Sequence, residues 1–251
     1  TAVGAVAAED AAAVVGESDV VLTSLPYSDV WVEVAESTLL PHAREGQVFI
    51  DLGTVEVSAT QRLAEAFRRK GATLLDVPVS GGHGGAVAGT LRMFGAGDRD
   101  VFEQMRPVLE VLGRPEHIVY CGGSGMGQIV KGVNQLGMGL AAAAGLEAVA
   151  CGVLAGVDPE AIATGVGGDS GWRRRIRDTV RAVEEGRAEG IGVKFGQLHY
   201  FIEAAEALGF DLPLSRVLHA YCEGGELVAM EANRPSPSFW RELSLKTEGN
   251  E

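Results

Sequence analysis

Lys131, Asn134 and Gln135 stand at i, i+3 and i+4, so on a helix they share one face. The lysine lies among Ile129, Val130, Val133 and Leu136, a setting that predicts partial burial. A desolvated lysine loses proton affinity and becomes usable as an acid or base. An amide beside it could orient a hydroxyl or carbonyl. The competing reading, a solvated surface lysine, is weakened by those apolar neighbours. A second constellation is Asp76-Val-Pro-Val-Ser80-Gly81-Gly82-His83-Gly84-Gly85. It follows a strand pattern, and ligands of open α/β sheets bind at the carboxyl ends of strands. Consecutive glycines let backbone N–H groups turn toward an anion, and the Ser80 hydroxyl adds a donor. The alternative there is a glycine-rich turn with no ligand. Lys194 opens an amphipathic stretch through Gln197, Leu198, Phe201 and Ile202; alone it reads as a surface residue.

Other chemistries find little support. His42, His117, His199 and His219 show no metal-ligand spacing, and Cys121, Cys151 and Cys222 form no CxxC pair. No G-x-S-x-G elbow occurs, and none of the 35 glycines completes a strict G-x-G-x-x-G. With 34 acidic and 21 basic residues the net charge is -13, which repels phosphate backbones and argues against nucleic acid as a partner. Any anionic ligand must then be held by a local site. The longest apolar uncharged run, Gly132 to Leu146, is too short to span a bilayer. The first residues carry no basic n-region. The expectation is a soluble cytoplasmic protein without membrane partners.

These residues need elements to position them. Residues 19–25, 48–51, 74–77, 91–94 and 118–120 read as strands. Helices alternate with them: Ser58 with Gln61 fits a capping box, and Asp98 caps a helix running toward Gly113. That alternation predicts a largely parallel α/β sheet. After about Gly122 the character changes. Residues 128–154 form one long helical candidate rich in Ala and Gly, Asp158-Pro159 caps another, and helical stretches follow at 172–186, 194–208 and 213–230. The expected organisation is an α/β domain over residues 1–122 and an all-α domain over 123–251, with a polar tail from Asn233.

In this order the segments resemble the β-hydroxyacid dehydrogenase family, which includes 3-hydroxyisobutyrate dehydrogenase and tartronate semialdehyde reductase. Val21-Leu-Thr-Ser-Leu25-Pro26 is similar to the family's strand ending in Leu-Pro beside the cofactor, and Asp51-Leu-Gly-Thr54 to its D-x-S-T segment. Asp76 through Ser80-Gly81-Gly82 to Gly89-Thr90-Leu91 resembles the substrate-binding D-x-P-V-S-G-G…G-T-L signature. Gly123 to Gln135 resembles the catalytic G-x-G-x-x-x-K-x-x-N-[NQ] segment. Lys194 matches the lysine of a Lys-Asp pair, with Phe195 where the family usually has Asp.

The resemblance implies a Rossmann-type α/β domain whose N-terminal part is missing, a long interdomain helix and an all-α domain. The missing β-α-β unit, with its pyrophosphate loop, is expected upstream of Thr1. The residue that would choose NAD or NADP belongs to that unit. The implied reaction moves a hydride between the nicotinamide of NAD or NADP and a small β-hydroxy acid or its semialdehyde. Lys131 would transfer the hydroxyl proton, with Asn134 holding the hydroxyl in register. Ser80, Gly81, Gly82 and Gln135 would bind substrate; Leu25, Pro26, Thr54 and Lys194 would approach the cofactor. No metal is implied. A homodimer or homotetramer is implied, and the small-residue stretch from Gly137 to Gly156 points the same way. Imine reductases and non-catalytic dinucleotide-binding relatives share the architecture, but they commonly lack the lysine. An inert dimerising protein is the rival from another class.

Overall fold

The computed structural model describes residues 4–185 and 197–220. Lys194, Phe195, Cys222 and the tail from Asn233 lie outside them. Three short apolar runs make the parallel part of a sheet: β1 (Val20–Thr23), β2 (Val48–Asp51) and β3 (Thr73–Asp76). Val21 pairs with Phe49, and Phe49 with Leu74. All four residues of β2 are buried, as a parallel strand covered on both faces requires.

The chain then doubles back through Pro78. β4 (Val79–Ser80) pairs antiparallel with β5 (Leu91–Ala96), and Asp76 meets Ala96 in antiparallel register. β6 (Gly113–Gly122) returns parallel to β5. The sheet is therefore mixed, in the order β1-β2-β3-β5-β4 with β6 also on β5. The alternation of strands and helices did not disclose the antiparallel pairing, because two residues of β4 are too few to show a period. Among the described residues β1 is an outer strand, paired only with β2.

Residues alternate between the faces of the sheet. On one face Val21, Phe49 and Leu74 pack with Trp31, Leu63 and Phe67. On the other, Val48, Ile50 and Leu75 pack with Met93, Phe102 and Leu109. Each large apolar side chain so buried contributes roughly 1.5–3 kcal/mol. The covering helices are α1 (Ala11–Glu17), α2 (Ser28–Val34), which continues through a π-helical turn at Ala35–Leu39 into α3 (Leu40–His42), α4 (Val57–Arg69), α5 (Gly82–Ala88) and α6 (Arg99–Leu109). Asp98 caps α6 through the Val101 N–H at 3.0 Å. The expected Ser58 capping box does not form: α4 starts at Val57, so Ser58 lies inside its first turn.

A second compact unit begins at Val133, so the division falls inside the 29-residue helix α7 (Met126–Leu154). By length and composition α7 could cross a bilayer, and it exceeds the apolar run that the sequence suggested. Here it is a packing helix. Val149 packs with Ile176 and Val180 of α9 (Gly171–Glu184). Leu136 and Leu140 pack against Leu198 of α10 (Leu198–Ala207) and Leu218 of α11 (Pro213–Ala220). α8 (Pro159–Val166) opens on Asp158, which accepts from the Glu160 N–H at 2.8 Å. The described residues of this unit contain no strand.

Candidate active site

The site starts where α7 meets the sheet. Asp76, buried at the end of β3, accepts hydrogen bonds from the N–H groups of Gly125 (2.9 Å) and Gln128 (3.3 Å). A carboxylate there complements the positive end of the helix. A Cβ added at Gly127 would lie 2.3 Å from the Phe94 carbonyl oxygen and 2.8 Å from that of Asp76. Only glycine lets the helix begin this close to the ends of β3 and β5.

One turn further along, Lys131 is buried, with 7% of its surface exposed. Its Nζ donates to the Val79 carbonyl at 2.7 Å. The lysine therefore reaches β4, the strand that ends at Ser80. The hydroxyl residue is half-buried, and Gly81 (φ 143°) and Gly82 (φ 58°) follow it in conformations that favour glycine. The rest of the expected glycine turn is the helix α5, which runs to Ala88 and leaves His83 exposed.

Asn134 lies one turn beyond Lys131 on the same unbroken helix, as the spacing predicts. In the second unit its Nδ2 faces the Met138 sulfur at 3.5 Å, and the buried Gln135 donates through Nε2 to Gln197 Oε1 at 3.1 Å.

At the carboxyl ends of β1 and β2, Asp51 accepts from the Thr23 hydroxyl at 2.8 Å and from the Gly53 N–H at 3.2 Å. Trp31 Nε1 donates to the same hydroxyl at 3.0 Å. Leu25 packs against the core and Pro26 is exposed. Thr54 is half-buried between two restrained peptides. On one side Gln128 Nε2 donates to the Gly53 carbonyl at 3.1 Å; on the other Gln128 Oε1 accepts from the Val55 N–H at 3.1 Å. Burial pushes the Asp51 carboxyl up to about 7, despite the Thr23 and Gly53 hydrogen bonds that lower it. Burial also raises that of Asp76, against the N–H groups of α7.

Asp51, Asp76 and Gln128 are therefore structural members of the site beyond the residues expected from the sequence. The sequence marks Gln128 only as an amide between Gly127 and Ile129, three residues before the lysine, without showing what it bonds.

Residues 1–123 match the model for the NAD binding domain of 6-phosphogluconate dehydrogenase. Over 233 residues the chain is 31% identical to 2-(hydroxymethyl)glutarate dehydrogenase of Eubacterium barkeri, covering 90% of this chain and 77% of that enzyme. The chain belongs to the β-hydroxyacid dehydrogenase family. Members of this family are NAD(P)-dependent oxidoreductases, and the chain is one of them. A 3-hydroxyisobutyrate dehydrogenase of Pseudomonas aeruginosa is 39% identical over 159 residues, 62% of this chain and 52% of that enzyme. Among solved β-hydroxyacid dehydrogenases, Mycobacterium tuberculosis 3-hydroxyisobutyrate dehydrogenase with L-serine has a TM-score of 0.77 at 26% identity. The match covers 94% of this chain and 82% of that one. Solved imine reductases share the fold at 15–20% identity. Pro26 is exposed and Thr54 half-buried, each three residues beyond the end of one of two adjacent parallel strands. The peptides on either side of Thr54 are held by Gln128, so this edge of the sheet offers an accessible, fixed surface of the kind a dinucleotide needs.

Proposed function

We propose that the chain transfers a hydride between NAD or NADP and the hydroxyl-bearing carbon of a small β-hydroxy acid, or its semialdehyde in reverse, in the manner of a 3-hydroxyisobutyrate dehydrogenase. The observation that carries the reading is the buried Lys131 amino group held 2.7 Å from the Val79 carbonyl, beside the strand that delivers Ser80. Ser80 and the N–H groups of Gly81 and Gly82 hold the substrate carboxylate, which fixes the carbinol carbon. Lys131 takes the hydroxyl proton during oxidation and returns it during reduction. Asn134, helped by Gln135, orients the hydroxyl. Leu25, Pro26 and Thr54 hold the nicotinamide end; the cofactor role of Lys194 rests on the family resemblance alone. When bound, the nicotinamide supplies the hydride acceptor or donor.

The same reading makes the protein a cytoplasmic homodimer or homotetramer. For the oligomer, the support is an apolar groove of about 570 Å³ in the described part of the second unit, lined by Ala141, Ala144, Ala148, Ile162 and Trp172. The imine-reductase reading rests on a shared fold, and Lys131 weighs against it.

A panel of small hydroxy acids assayed with each dinucleotide tests the proposal. Turnover of a β-hydroxy acid is expected. Reduction of cyclic imines with no hydroxy acid oxidised would overturn it.

A further inference from the structure

Gln128 has no exposed surface. Its backbone N–H is held by Asp76, and its side chain spends both polar atoms on the peptides that flank Thr54. Three residues on, one turn away, is Lys131. One side chain thus joins the loop carrying Thr54 to the helix carrying the lysine. The primary amide acts here as a peptide group in a ladder would, giving one hydrogen bond and accepting another. Among neutral side chains of this length only glutamine offers that pair.

We propose that Gln128 is a positioning residue that fixes Thr54 relative to Lys131, and so sets the nicotinamide against the group that moves the proton. This rests on the reading of Lys131 as the acid–base group and Thr54 as a cofactor residue. The geometry has a chemical reason. Hydride and proton leave neighbouring atoms of one substrate, so their two acceptors must be held in register, and small misplacements cost rate steeply. Lys131 is already fixed to β4 through Val79, and Asp51 fixes the near end of the Thr54 loop. Gln128 closes the remaining gap. Replacing it by an apolar residue of similar size would strand the Gly53 carbonyl and the Val55 N–H, the latter on a buried residue.

The test uses the full chain with Gln128→Met and Gln128→Glu, measuring melting temperature, dinucleotide affinity by fluorescence, kcat, KM, and the isotope effect with substrate deuterated at the carbinol carbon. Gln128→Met should lose about tenfold in dinucleotide affinity, as unpairing buried partners entails. It should lose about tenfold to a hundredfold in kcat, with a larger isotope effect and an almost unchanged substrate KM. In Gln128→Glu the protonated carboxyl reproduces the amide's donor and acceptor, whereas the ionised form faces the Gly53 carbonyl with a negative charge. Its activity relative to wild type should fall as pH rises.

A lowered melting temperature with affinity and isotope effect unchanged would overturn the proposal. If Gln128→Met fails to fold, a flat pH ratio for Gln128→Glu overturns it instead. Lys131→Ala, run alongside, separates the two ideas. Its retained turnover would sink the functional reading, while the dinucleotide affinity of the Gln128 variants would still decide the role of Gln128 at Thr54.

Discussion

Asp51 and Asp76 stand opposite each other in register on the parallel strands β2 and β3, both almost wholly buried. They serve different neighbours: Asp51 accepts from Thr23 and Gly53 through Oδ1, and Asp76 uses both oxygens on the start of α7. Two carboxyls in one buried layer cannot both ionise cheaply. With the Asp51 carboxyl raised from 3.8 to about 7, the folded protein binds a proton that the unfolded chain releases between those values. The associated stability is complete below pH 3.8 and is lost as pH rises through 7. Asp51→Asn keeps an acceptor for both donors, so it should flatten the fall in stability over this window and match or exceed wild type at pH 8. Denaturant titrations at several pH values check this; an unchanged slope would contradict it.

Lys131→Ala should lower kcat by about 10²–10⁴-fold, the usual cost of losing a positioned acid–base group. Dinucleotide affinity should hold, since the lysine is fixed to β4 through the Val79 carbonyl while Gln128 holds the loop of Thr54. Lys131→Arg should not rescue, because a guanidinium stays protonated. Steady-state kinetics decide. A loss under tenfold, about 1.4 kcal/mol, would return Lys131 to a packing role.

Ser80→Ala should act on binding. Losing one hydrogen bond to a charged carboxylate is worth about 1.5–3 kcal/mol, so KM for the hydroxy acid should rise at least about tenfold while kcat changes little. Equal loss in both parameters would place Ser80 in the chemical step.

Gly127→Ala should be costly although alanine is the better helix former. The new methyl would press on the Phe94 and Asp76 carbonyls, which are backbone and yield little. Overpacking of this kind costs about 1–3 kcal/mol, readable as a lower denaturation midpoint. An unchanged midpoint would mean that α7 can lift from the sheet without penalty.

How much of this could be read from the residues depended on the range of the signal. β2, the Asp98 and Asp158 caps and the long helix of Lys131 announce themselves within a dozen residues, through period and cap chemistry. The resemblance supplied the order of the site segments. What stayed hidden is set by distant partners. Gly82–Ala88 reads as a turn because glycine is a poor helix former, yet it is a helix bounded by left-handed Gly89. Lys131 owes its burial partly to Val79, 52 positions away, while Val133, named among its apolar neighbours, is exposed. Nothing local to Gln128 says that its amide closes around Thr54.

Among the described residues β1 presents an edge away from β2, and an edge of this sort is a template on which a further strand can add. Its four residues also limit that template. Pro26 lies just beyond the strand and offers no N–H, and Leu22, 40% exposed, is the only large apolar side chain of the strand that solvent reaches to that extent. A strand joining here gains a short ladder and little apolar cover, so the edge admits one well-matched segment while giving weak purchase to indefinite stacking. The strand that leads to Leu25 and Pro26 is thus receptive to pairing and poor at propagating it.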